Sequence, residues 1–240
     1  MRFQFQYLRQ FISDTRGAVT VDYVMLAAAV TGVTLMSTDI IQNGLRSLAG
    51  TVDSELKGEA PGSANGLSYA NSFDNGSAGW SGAYATNVAG IGNVLGPIEN
   101  TGGGPGVSRD FEIDPATDRA TFSFDLLAMD DFDGDTGTVY VDGEAVGSVT
   151  ANYGVPTFTA AEGLEDRGII VRYSEVDSDV HLGGNSSQTD SRSTFEITVR
   201  NDPSDPRGTV NIGFGSDATA GAENEFFAID NFQANGLAGS

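Results

Sequence analysis

Residues 121–128 read TFSFDLLA, a run in which apolar and polar side chains largely alternate. A period of two sends successive side chains to opposite faces of an extended chain, so the run reads as a half-buried β-strand. Working outward, 137–142 (GTVYVD), 168–173 (GIIVRY), 195–200 (FEITVR), 209–214 (TVNIGF) and 226–232 (FFAIDNF) are short, rich in β-branched and aromatic residues, and bounded by turn formers. Val141-Asp142-Gly143-Glu144-Ala145 is a hairpin signal, because Asp-Gly suits a type I′ turn. No helical period of useful length interrupts these runs. They predict an antiparallel β-sandwich of jelly-roll type over 69–236, with 237–240 as a tail.

The bulk composition narrows the partners. The chain has 240 residues, no cysteine, one histidine and a formal net charge of −21. Without cysteine there is neither a disulfide framework nor a thiolate metal site. The single histidine, His181, rules out a multi-histidine metal site and reads as an ordinary surface residue. So negative a surface repels phosphate backbones, which excludes nucleic acid and favours divalent cations and a salty exterior. The 14 Phe and seven Tyr argue for a packed core rather than disorder.

Upstream, 58–68 (GEAPGSANGLS) reads as a flexible linker. Before it, 18–57 has a helical pattern, with no proline and with Leu45, Leu48, Val52 and Leu56 at spacings of three and four. The uncharged stretch from Tyr23 to Thr38 is the membrane-spanning candidate, and Arg2, Arg9 and Arg16 ahead of it place the N-terminus in the cytoplasm.

Residues 16–23 read RGAVTVDY at the junction between the basic segment and the apolar run. This order resembles the processing site of type IV prepilins, most closely the Flp pilins of tight-adherence (Tad) systems. The resemblance implies a leader, 1–17, cut between Gly17 and Ala18 by a prepilin peptidase at the inner membrane. It makes Asp22 and Tyr23 the fifth and sixth mature residues, where the family has Glu-Tyr. Asp22 is then the assembly residue, neutralising the N-terminal amine of a neighbouring subunit in the filament. A carboxylate at the start of an apolar helix also interacts with the helix dipole, and both roles can hold. The competing reading is a secretory signal peptide with Ala27–Ala29 as its cleavage site. Against it, the basic region ends in an acid and the helical pattern continues to Leu56.

The β-region carries a second resemblance. Its opening, Asn71-Ser72-Phe73-Asp74-Asn75-Gly76 and Gly79-Trp80-Ser81, and its close, Ala228-Ile229-Asp230-Asn231-Phe232, look like secreted concanavalin-like or carbohydrate-binding jelly rolls. In those, an early acid and a late Asp-Asn often share a structural calcium. The resemblance implies a Ca²⁺ site at Asp74 and Asp230, helped by Asn71 and by backbone carbonyls where first and last strands meet. The alternative is a pair of Asx turns at strand ends. Trp80, the single tryptophan, is the candidate ligand-binding aromatic. Asp131, Asp133 and Asp135 have the spacing of a calcium loop, but Gly134 comes early for an EF-hand and Asp142 stands where Glu is needed; they read as a solvated acidic hairpin loop.

Glu175, Asp177 and Asp179 alternate as the acids of a glycan hydrolase do, but they read as a solvated strand. The expectation is therefore a non-enzymatic, pilin-like subunit whose acidic head serves surface attachment or glycan binding at the cell exterior. A membrane-anchored or secreted jelly-roll hydrolase and a purely structural filament-decorating domain are the alternatives.

Overall fold

The computed structural model describes residues 66–130, 132–184, 188–219 and 225–239. The leader junction, Gly17, Ala18, Asp22, Tyr23 and the whole 18–57 segment lie outside the described residues. Twelve strands follow in order: β1 (Leu67–Asn71), β2 (Ala85–Val88), β3 (Gly92–Ile98), β4 (Val107–Glu112), β5 (Arg119–Asp130), β6 (Asp133–Val141), β7 (Glu144–Asn152), β8 (Val155–Ala160), β9 (Ile169–Val180), β10 (Asp190–Arg200), β11 (Thr209–Ser216) and β12 (Glu225–Leu237). They form a seven-stranded sheet, β2-β3-β12-β5-β10-β9 with β1 also on β12, and a five-stranded sheet, β4-β11-β6-β7-β8. Every pairing is antiparallel, and the first and last strands are neighbours as expected. The expected mainly-β sandwich is therefore present.

All six strand-like runs coincide with observed strands, with only Asp142 and Gly168 falling one residue outside β6 and β9. In β5, Ala120, Phe122, Phe124 and Leu126 face the second sheet and are buried, while Thr121, Ser123 and Asp125 face outward. β10 repeats the pattern with Phe195, Ile197 and Val199 inside. Phe124 and Phe195 are register partners and their rings stack at 5.4 Å. Each fully buried Phe contributes about 1.5–3 kcal/mol of apolar transfer. The β6–β7 hairpin turns on Asp142 (φ 54°) and Gly143 (φ 79°), the left-handed pair that a type I′ turn needs. Asp133 and Asp135 do not stand in a loop: β6 begins at Asp133, and both residues belong to it.

A strap divides the outer face of the seven-stranded sheet. Where β9 ends, residues 181–184 cross to the far edge, and Gly184 N–H donates to the Ala89 carbonyl in the β2–β3 turn at 2.9 Å. Under the strap lies a small second core of Val88, Val94, Leu127, Met129, Phe226 and Ala228, with Ile91 and Leu182 against it. Asp190, fully buried, holds the strap by accepting from the N–H groups of Leu182 (2.6 Å), Gly183 (3.2 Å) and Asp130 (2.7 Å). A Cβ at Gly183 would stand 2.2 Å from the Ala89 carbonyl oxygen, so only glycine lets the two backbones approach. The remainder of the outer face is open and mainly polar, with Ile170 exposed beside Thr198.

Candidate functional site

The open face is laid out by strand register. One row runs Arg172, Glu196, Ser123, Gln233 across β9, β10, β5 and β12. The next carries Thr198, Thr121 and Asn235, and a third carries Thr194, Asp125 and Asp230. Strands 4.7–4.9 Å apart hold such rows at a fixed spacing. At Asp230 the β12 ladder slips: a bulge spans Asp230 to Gln233, and Asn231 takes a positive φ of 51°. The extra residue lets Asp230 and Asn231 both serve the outer face before Phe232 returns to the core.

The third row is tightly bonded. Thr194 Oγ1 donates to Asp125 Oδ1 at 2.6 Å, and Asn231 Nδ2 donates to Asp125 Oδ2 at 2.9 Å. Asn231 N–H donates to Asp230 Oδ1 at 2.7 Å. Beside the row, Arg192 Nη2 pairs with Asp177 Oδ2 at 2.5 Å. Burial, then the charges of Asp125 and Asp74, push the Asp230 carboxyl up to about 6 against the Asn231 N–H and Arg192, which lower it.

The early acid and the late Asp-Asn thus share one electrostatic neighbourhood, but the expected ligand set does not close. Asn71 spends its carboxamide inside the turn: Oδ1 accepts from Phe73 N–H at 2.7 Å, and Nδ2 donates to the Gly76 carbonyl and to Tyr69 Oη, each at 3.1 Å. Asp74 Oδ2 accepts from Ser72 Oγ at 3.0 Å. Among the described residues no third carboxylate joins Asp74 and Asp230 within 4.8 Å; the threesome that does meet at that distance is Asp133, Asp135 and Glu225.

That second group lies at one end of the sandwich. Glu225 is buried at the start of β12, where its Oε1 accepts from Thr219 N–H at 3.2 Å. Asp217 Oδ1 accepts from Thr136 N–H at 2.5 Å. Burial, then Glu225, Asp217 and Asp133, raise the Asp135 carboxyl above the ordinary range, and its buried Oδ2 has no hydrogen-bond partner. An orphaned carboxylate oxygen facing two further carboxylates suits a hard cation that takes oxygen ligands, so these residues fit Ca²⁺ better than Asp74, Asn71 and Asp230 do.

Trp80 is only 9 % exposed, and its ring packs on Phe232 at 4.9 Å and Phe214 at 5.7 Å. It is a core residue, not a surface platform. Among the described residues the exposed aromatics are Tyr84 and Tyr153, which no sequence motif marked. Glu175 and Asp179 are exposed, whereas Asp177 is tied to Arg192. His181 lies on the surface with Nδ1 3.8 Å from Asp190 Oδ2. Asp125, Arg192, Thr194 and Asn231 were not singled out as site residues; the signal for Asp125 was its polar place in the alternation of TFSFDLLA.

No family model matches the chain, and no curated protein matches it. Carbohydrate-binding jelly-roll modules are among its structural neighbours. A β-1,3-glucan-binding family 6 module from Bacillus halodurans is 13% identical with TM-score 0.31, covering 69% of this chain and 92% of the other. A xylan-binding family 22 module from Paenibacillus barcinonensis is 11% identical with TM-score 0.37, covering 73% and 97%. A family 35 module from Cellvibrio japonicus is 12% identical with TM-score 0.34, covering 72% and 100%. Likenesses this distant say nothing of what this chain binds.

Proposed function

We propose that this chain is a surface-displayed binding subunit whose β-sandwich recognises a glycan through the open outer face of the seven-stranded sheet. The observation that supports it is the row Thr194–Asp125–Asp230–Asn231, bonded in place at a bulge in a central strand. Carboxylates, amides and hydroxyls held at fixed spacing on rigid strands are what paired sugar hydroxyls require, since each offers both donor and acceptor. The head is a binding module and not a hydrolase in this reading, because the middle acid of the alternating trio is committed to an arginine. Calcium belongs to the reading as a structural cation held by Asp133, Asp135 and Glu225, where it would cancel mutual repulsion at the end of the sandwich.

The subunit is Flp-like and assembles through Ala18 and Asp22, a reading that stands on RGAVTVDY. The prepilin peptidase, the inner membrane and neighbouring pilin subunits are then its partners before it reaches the cell surface.

A glycan array probed with the full chain tests the binding half: the wild type should bind a defined set of glycans, and Asp125→Ala with Asn231→Ala should lose them. An array with no hit, or a signal unchanged in the double variant, rejects the face as the binding site. Intact mass tests the other half, with a mature start at Ala18 expected and a start near Val30 pointing to a signal peptide.

A further inference from the structure

Charge is distributed unevenly over the two sheets. The outer face of the seven-stranded sheet carries Arg172, Glu196, Asp125 and Asp230. The outer face of the five-stranded sheet is built differently. Val139, Val149 and Ala151 point into the core, so their neighbours along β6 and β7 point out. Thr136, Thr150 and Thr157 form one row across β6, β7 and β8, and Thr138, Ser148 and Thr159 form the next. The hydroxyls of Thr136 and Thr150 bond to each other at 3.1 Å. Residues 136–141 and 145–161 contain no charged side chain, in a chain of net charge −21.

The patch has defined borders. On one side the 101–106 loop lies over β11: Gly106 N–H donates to the Phe214 carbonyl at 3.0 Å, and a Cβ at Gly213 would stand 2.7 Å from Pro105 Cβ. On the other side β8 is the free edge of its sheet. At one end the β7–β8 turn presents Tyr153, 64 % exposed, and Val155, 49 % exposed. Tyr153 holds φ at 47°, a left-handed conformation that a type I′ turn ordinarily gives to Asn, Asp or Gly. Acids return at the margin, with Asp133, Glu144 and Asp217.

We propose that this face is where a second copy of the chain docks, the hydroxyl rows of one copy lying against the same rows of the other about a two-fold axis. The contact goes beyond the glycan reading, which uses the opposite sheet, and is independent of Ala18 and Asp22.

Depletion of charge beside an exposed tyrosine is the compositional mark of an interface core. Charge also selects the occupant. A basic partner would be drawn to the carboxylates elsewhere on the molecule, whereas a partner as acidic as this chain can approach closely only where charge is missing. A second copy is such a partner. Hydroxyls suit it as well: each both donates and accepts, so a face of threonines is its own complement in the isologous contact of a two-fold dimer. A face of carboxylates could not pair with itself. Three short strands make a small interface, which places the dimer among weak, transient contacts. The marginal acids of two copies repel, so added salt strengthens the pair, the reverse of its effect on attraction between opposite charges.

The chain has no cysteine, so single cysteines report the contact directly. In the full chain under mild oxidation, Ser148→Cys or Thr150→Cys, on the central strand of the patch, should give a disulfide-linked dimer. Its yield should be at least about tenfold that of Thr86→Cys, on exposed β2. The yield should rise with protein concentration and with NaCl. Thr157→Glu with Thr159→Glu puts the chain's own charge on the face and should bring the Thr150→Cys yield down to the Thr86→Cys level. Near-UV circular dichroism identifies any variant that has lost its fold. Equal yields at all three cysteine positions overturn the proposal, as does a crosslink untouched by the two glutamates. Loss of the crosslink on adding the strongest array glycan assigns the face to sugar and also overturns it. An array without hits rejects the glycan reading and leaves this one standing.

Discussion

Asp125 and Asp230 face each other across β5 and β12 on the outer surface of the seven-stranded sheet, and Asn231 joins them: its N–H donates to Asp230 and its side-chain amide to Asp125. Two like charges opposed in this way work against folding.

The first prediction follows from the titration of Asp230. Its folded carboxyl lies at about 6, above the ordinary value near 3.9 that holds in the unfolded chain. The folded state therefore binds the proton more tightly. The destabilising contribution is absent below about pH 4, grows as pH rises, and is complete above about pH 6. Asp230→Asn should raise the thermal midpoint at neutral pH, and the gain should vanish toward pH 4. An equal gain at both pH values would show that the charge of Asp230, disfavoured first by burial and then by Asp125 and Asp74, is not its source.

Trp80 offers a cleaner test of the core. Its ring joins Phe73, Phe111, Phe214 and Phe232 in one aromatic cluster. Trp80→Ala should lower unfolding stability by about 3–5 kcal/mol, measured by denaturant titration followed by circular dichroism. Trp80→Phe should lose less and leave glycan affinity unchanged. A fall in affinity with the fold intact would return Trp80 to a binding role.

The strap depends on one buried carboxylate. Asp190→Ala strands three N–H groups, at about 1–3 kcal/mol for each buried group left unpaired. Amide exchange at Leu182, Gly183 and Gly184 should accelerate far more than at Phe195 or Ile197 in the centre of β10. Asn at the same position retains one acceptor oxygen and should lie between the two. Uniform acceleration across β10 would make Asp190 a general core residue instead of the strap's anchor.

Calcium should reverse the sign of a single substitution. Without the ion, Asp135→Asn removes a charge that burial disfavours and that Glu225, Asp217 and Asp133 repel, and should raise the thermal midpoint. With Ca²⁺ at a hundredfold excess over its dissociation constant, the wild type gains about 2.7 kcal/mol, and the variant should forfeit most of that. Asp74→Ala should leave the calcium response as it is. Equal shifts from calcium and from sodium chloride at matched ionic strength would reduce the effect to screening.

Much of the fold was legible in the sequence because strands buried on one face write their period directly: Phe122, Phe124 and Leu126 inside, Thr121, Ser123 and Asp125 outside. The Asp142-Gly143 turn was equally plain. β1 to β4 were not. β3 carries two glycines and Pro97, and β4 (VSRDFE) breaks its alternation with Arg109 and Asp110, so local propensity spoke against strands that tertiary pairing imposes. The site was half legible. Asp74 and Asp230 do share a neighbourhood, but the partner that matters to Asp230 is Asp125, about a hundred residues away and placed by sheet register, which no local pattern encodes. Asp133 and Asp135 likewise looked like a hairpin loop until Glu225 was brought beside them.

The central claim is that ligand meets the open face of the seven-stranded sheet, and hydrogen–deuterium exchange of the full chain with and without its strongest array glycan tests it most directly. Protection is expected at 121–125, 194–198 and 230–235, with exchange at 132–135 and 152–155 unchanged. Protection confined to the end of the sandwich, around Asp133 and Tyr153, would contradict the account and move the binding site to the carboxylate cluster.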